Sequence, residues 1–245
     1  PDARGRSGEP FFYRRSMNAQ RRQLLLDLHL TAARTLDNFV PGGNLELLDR
    51  LESLAEPACG DAIYLWGPPG CGRSHLLAGA AAMARRPVAN LVADDWVPES
   101  VAAQTLLVAD DVETLDADAQ ARLFRLFNDA RRRGLSILLA GLVPPGELVL
   151  REDLRTRIGQ CLIFEVKPLS DDEKADALAR YAADRAMRLD AAVVPYLLRY
   201  GRRDLPSLLG TLEALDRASL ELKRPPTVPL LREILQLPTD LRQSP

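Results

Sequence analysis

The run at 63–77, IYLWGPPGCGRSHLL, does most to restrict the fold. A short apolar segment enters a glycine-rich turn, and the turn opens a helical pattern. Gly67, Gly70, Gly72 and Ser74 fit the phosphate-binding pattern G-x-x-x-x-G-K-[ST] at every fixed position but one, where Arg73 stands for lysine. Glycines let such a loop curl until several N–H groups face one anion, and the following helix adds its positive end. The alternative, a bare strand-to-helix turn, does not account for the spacing. The residues expected to hold a nucleotide are Gly67, Pro68, Pro69, Gly70, Cys71, Gly72, Arg73, Ser74 and His75, with the Ser74 hydroxyl on the Mg²⁺ side. Arg73 keeps the positive charge but is bulkier than lysine, so it is expected to crowd the γ-phosphate position and favour a diphosphate.

A second element follows at 105–111, TLLVADD. Asp110 ends an apolar run, and carboxyl strand ends are where open α/β sheets gather ligands. It is the expected Mg²⁺-side carboxylate, and Asp111 takes the place of a water-polarising acid. An Asp-rich turn alone would be unremarked; its partnership with the glycine loop gives it meaning. Further apolar runs at 62–66, 88–92, 135–140 and 161–166 alternate with helical patterns. This predicts an α/β fold with a five-stranded parallel sheet covered on both faces.

After Pro168 the pattern becomes helical, starting from a Ser170–Glu173 capping box and broken near Asp190, Gly201 and Pro225-Pro226. A small all-helical lid domain is predicted over 168–237, after an α/β domain over 31–167 and before a C-terminal tail at 238–245. Residues 1–22 read as a disordered tail in which Met17 marks a candidate natural start. Residues 23–30, QLLLDLHL, form an aliphatic island, either a helix turn packed on the domain or a peptide for a partner. Arg157 lies before the fifth strand and is expected at the rim of the sheet's ligand edge, as a surface residue or as an arginine reaching a neighbouring subunit's nucleotide. Arg203 precedes a lid helix and is either solvated or set above the phosphates.

Bulk properties narrow the function. The formal net charge of −2 does not suggest a strongly basic nucleic-acid binder, and 5% aromatic residues argue against base-stacking platforms. Cys59, Cys71 and Cys161 lack CxxC spacing, so neither a disulfide framework nor a zinc site is expected, and a cytoplasmic location is. No apolar run reaches membrane-span length.

The glycine loop, Asp110-Asp111, Arg157 and Arg203, with a helical lid after the sheet, together resemble the AAA+ ATPases. GRSHLL (72–77), PLSDDEKADAL (168–178) and LDRASL (215–220) narrow the resemblance to the DnaA-related branch and its Hda-type regulatory inactivators, over about 18–237. The resemblance implies a P-loop domain with a lid, holding ADP or ATP with Mg²⁺, and Phe39 in LDNFVPGGN near the base. It implies that Gln23, Leu24, Leu26 and Leu28 bind the DNA polymerase III sliding clamp. It further implies that Arg157 acts as an arginine finger on ATP held by DnaA, so that the chain restrains replication initiation. A homo-oligomer is compatible with the family. The chain ends soon after the lid, so no DnaA-type DNA-binding domain and no strong direct DNA binding are expected. Leu142 departs from the acidic residue usual after the fourth strand and, with Arg73 and Asp111, points to weak intrinsic hydrolysis. The competing readings are a DnaA-like adaptor for other replication factors and an autonomous ATPase.

Overall fold

The structure, a computed structural model, describes residues 34–56, 60–91 and 101–235. The predicted tails, the aliphatic island at 23–30 and Cys59 lie outside these residues. Among the described residues the short aliphatic runs pair as β1 (Ala62–Trp66), β2 (Val88–Asn90), β3 (Leu106–Ala109), β4 (Ser136–Gly141) and β5 (Leu162–Glu165). All neighbours are parallel, in the order β2-β3-β4-β1-β5. This is the five-stranded parallel sheet that the sequence predicts.

Position in the sheet explains the composition of each strand. The inner strands β3 and β4 are buried along their whole length, as their continuous apolar runs require. The edge strands β2 and β5 are shorter than the runs at 88–92 and 161–166 and are mostly exposed.

Alternation along the strands feeds two cores. Ile63, Leu65, Leu106 and Leu138 face Leu47, Leu51 and Leu54 of helix α1 (Leu45–Leu54) and Leu76 and Leu77 of helix α2 (Arg73–Met83). Tyr64, Leu107, Ile137 and Leu139 face Leu123 and Leu126 of helix α3 (Ala117–Arg133) and Leu154 and Ile158 of helix α4 (Glu152–Gly159). The sheet is thus covered on both sides.

Residues beyond β5 form helices α5 (Asp171–Asp184), α6 (Val193–Tyr200), α7 (Leu205–Leu222) and α8 (Val228–Leu235). Leu178, Val193, Leu197, Leu208, Leu212, Leu215, Leu230 and Leu231 give this lid its own core. Its first helix opens on the expected capping box: the Glu173 N–H donates to Ser170 Oγ at 3.2 Å, and the Ser170 N–H donates to Glu173 Oε2 at 2.7 Å. The short stretch between sheet and lid is tied back to the entry of α1. Asn44 Nδ2 donates to the Lys167 carbonyl at 3.0 Å, and Asn44 Oδ1 accepts the Lys167 N–H at 2.8 Å. No described helix is long and apolar enough to cross a membrane.

Candidate phosphate-loop site

The registers Trp66↔Gly141 and Ala109↔Leu139 end β1, β3 and β4 at one edge of the sheet. The chain beyond each strand therefore meets at that edge: the glycine loop after β1, Asp110-Asp111 after β3 and Leu142 after β4. Gly72 caps α2 with φ +107°, and a Cβ there would come within 2.7 Å of Phe39 Cε2. Gly70 has φ +81°, and a Cβ there would stand 3.3 Å from Asp204 Cβ. Both are conformations that an L side chain rarely adopts. The loop is thus pressed between Phe39 of the entry segment and the residue that opens lid helix α7.

The side chains of the loop are drawn to the acidic pair. Ser74 Oγ donates to Asp110 Oδ2 at 2.5 Å, and the Asp111 N–H donates to Asp110 Oδ1 at 3.0 Å. Arg73 is buried, its side chain 9% exposed, and its Nη2 lies 3.6 Å from Asp111 Oδ1. Its Nη1 is buried without a hydrogen-bond partner. Burial raises the pKa of the Cys71 thiol beside it, and hydrogen bonding and the charge of Arg73 partly oppose that rise. Phe39, Gly70, Gly72, Arg73, Ser74, Asp110 and Asp111 therefore form one constellation.

Other predicted site residues stand elsewhere. His75 Nε2 lies 2.9 Å from the Thr35 carbonyl and 2.8 Å from Asn38 Oδ1, with its ring edge-on to Phe39 at 5.4 Å. It fastens the entry segment to α2. Arg203 Nη2 donates to Asp171 Oδ2 at 2.8 Å within the lid and is 72% exposed, so its neighbour Asp204 is what touches the loop. Arg157 requires a correction. It occupies the last turn of α4, five residues before β5, and a residue leading into a parallel strand sits toward the amino edge of the sheet, opposite the phosphate loop. There its Nη2 donates to Asn128 Oδ1 at 2.8 Å, and its guanidinium lies 6.0 Å from the centre of the Phe124 ring. It lines a cleft of about 800 Å³ with Phe124, Arg151, Thr156 and Gln160.

Sequence reasoning missed Glu113, Tyr64 and Asn44. Glu113 Oε1 accepts the Leu142 N–H at 3.1 Å, and Tyr64 Oη donates to the Val143 carbonyl at 2.6 Å. Together they hold the turn after β4 beside the loop. Burial, reinforced by the Glu113 charge and opposed by Arg73, raises the Tyr64 pKa well above the usual phenol range, so Tyr64 stays a hydrogen-bond donor. Glu113, two residues past the acidic pair, was the one available sequence signal.

The residues present suit the phosphates of a nucleotide. A positive helix end and a serine hydroxyl beside a carboxylate stand at one glycine-rich loop, with the buried Arg73 guanidinium next to them.

Residues 171–235 match the family model for the Hda lid domain. The fold is similar to domain III of the replication initiation protein DnaA from Thermotoga maritima, with a TM-score of 0.67 at 18% identity, covering 84% of this chain and 98% of that one. It is also similar to AMPPCP-bound DnaA from Aquifex aeolicus (TM-score 0.63, 22% identity, 79% and 68% covered). A variant of Thermotoga maritima RuvB is similar too (TM-score 0.62, 16% identity, 82% and 71% covered). The chain thus has a fold similar to that of DnaA and RuvB, and its residues 171–235 match the Hda lid domain.

Proposed function

We propose that this chain is a negative regulator of chromosomal replication initiation, which holds ADP in its own phosphate loop and promotes ATP hydrolysis by DnaA. The observation that carries the reading is the position of Arg157 relative to the loop. An exposed arginine at the edge of the sheet opposite the chain's own phosphate loop is placed to act in trans, on a nucleotide held by another protein. The Hda-type lid favours the same conclusion.

In this reading the backbone of 67–74 and the Arg73 guanidinium hold the phosphates, and Ser74 and Asp110 take the Mg²⁺ side. The bound diphosphate supplies charge that orders the loop against Phe39 and the lid. Arg157, released from Asn128, stabilises charge developing on ATP in the partner's pocket. Gln23, Leu24, Leu26 and Leu28 bring the chain to the sliding clamp by extended-peptide capture, with a glutamine amide in a polar pocket and leucines in an apolar cleft. Location in the cytoplasm follows from these partners.

A reconstituted assay tests the reading. ATP-loaded DnaA is mixed with this chain and ADP, with and without clamp loaded on DNA, and hydrolysis is followed. Hydrolysis is expected to accelerate only when clamp and chain are both present, and replacing Gln23 and Leu26 by Ala is expected to abolish clamp co-elution. Rapid ATP turnover by the chain alone would favour the autonomous-ATPase reading instead.

A further inference from the structure

We propose that Asp111 determines which nucleotide the phosphate loop prefers: its carboxylate neutralises Arg73 and so disfavours a triphosphate relative to a diphosphate. The inference rests on the reading of the loop as a nucleotide site. It departs from the role suggested by the position of Asp111 in sequence, where an acid would polarise water.

The geometry supports a counter-ion role. Asp111 Oδ1 stands 3.6 Å from Arg73 Nη2, and the Arg73 side chain is almost wholly buried. A buried guanidinium needs a compensating charge, and among the described residues Asp111 is its ion-pair partner. The backbone of Asp111 is held in place by its neighbours. Asp111 has φ +46°, and its carbonyl accepts both the N–H and the Oγ1–H of Thr114, each at 2.8 Å. Its N–H is bound to Asp110 Oδ1, so the whole turn is pinned. From this pinned turn the carboxylate reaches Arg73 of the loop. Arg73 Nη1 is buried without a hydrogen-bond partner, so the ion pair with Asp111 is the compensation the structure gives this guanidinium.

The charge balance then sets the preference. Arg73 and Asp111 together carry no net charge, so this pair leaves no side-chain cation over to match the additional negative charge of a γ-phosphate. That charge meets the Asp111 carboxylate instead. Removing that carboxylate leaves Arg73 uncompensated, and the gain is larger for the more highly charged ligand. An acid that acts only on water would leave the affinity for a triphosphate that is not hydrolysed untouched.

The test is titration of ADP and ATP, each with Mg²⁺ and with the non-hydrolysable AMPPCP standing for ATP, into the full chain and into Asp111→Asn and Asp111→Glu. Asparagine tolerates the left-handed conformation, so the turn is kept. The unaltered chain is expected to bind ADP more tightly than ATP. In Asp111→Asn both should tighten, ATP by about tenfold more than ADP, while Asp111→Glu should keep the original preference. An unchanged ADP-to-ATP ratio in Asp111→Asn, with ADP still bound by the unaltered chain, would overturn the role of Asp111 alone. Failure of the unaltered chain to bind either nucleotide would overturn the nucleotide reading itself, and this proposal with it.

Discussion

Asn44 shows how much a single polar side chain can contribute to this architecture. It is 4% exposed, and it satisfies both the N–H and the carbonyl of Lys167 besides donating to the Pro41 carbonyl at 2.9 Å. It therefore locks the entry segment to the stretch that leads from sheet to lid. Asn44→Ala strands these backbone groups and is expected to lower stability by about 1–3 kcal/mol, read as a fall in the urea midpoint. No sequence signal marks this residue, because its partner lies 123 positions away. Gly72, Ser74 and Asp110 were legible for the opposite reason. A phosphate loop is built from local spacing, and an acid at a strand end follows from periodicity alone. The interaction of Asp111 with Arg73 depends on a backbone angle that composition does not reveal.

At the scale of the element, α5 is the helix whose start was written most plainly. Its capping box is formed on both sides, and the Ser170 backbone and side-chain hydrogen bonds hold the Glu173 pKa below its ordinary value. Arg224, through its side-chain hydrogen bonds, does the same for Glu233 of α8. A carboxylate whose pKa is depressed on folding stabilises above its unfolded pKa and loses that contribution as pH falls through the folded value. Lid stability is therefore expected to hold at neutral pH and fall below the usual glutamate range, with a smaller fall in Glu173→Gln. Denaturation curves collected from pH 7 to pH 3 measure this. The helix that sequence did not announce is α4. Its eight residues are too few for a clear period, and its charged face hides Leu154 and Ile158, which pack under the sheet. Missing that helix is what put Arg157 at the wrong edge, since a helix returning from the carboxyl edge must end at the amino edge before β5 can begin.

Across the whole molecule, the alternation of apolar runs and helical patterns predicted a doubly covered parallel sheet followed by a helical lid, and the structure has both. The order β2-β3-β4-β1-β5 was not legible, because crossovers are set by packing between distant elements rather than by any local pattern. That order brings β1 between β4 and β5 and so places the phosphate loop between the β4 turn held by Glu113 and the lid residue Asp204. The resulting molecule has two poles. One edge of the sheet carries the phosphate loop, and the other carries an exposed arginine. The central claim is that the second pole acts on another protein's nucleotide. The direct measurement is the rate of DnaA ATP hydrolysis with loaded clamp and ADP, comparing the unaltered chain with Arg157→Ala, alongside a titration of each with ADP. The account predicts that Arg157→Ala binds ADP as the unaltered chain does, yet loses stimulation by about 10³–10⁵-fold. Stimulation left intact in Arg157→Ala would contradict it.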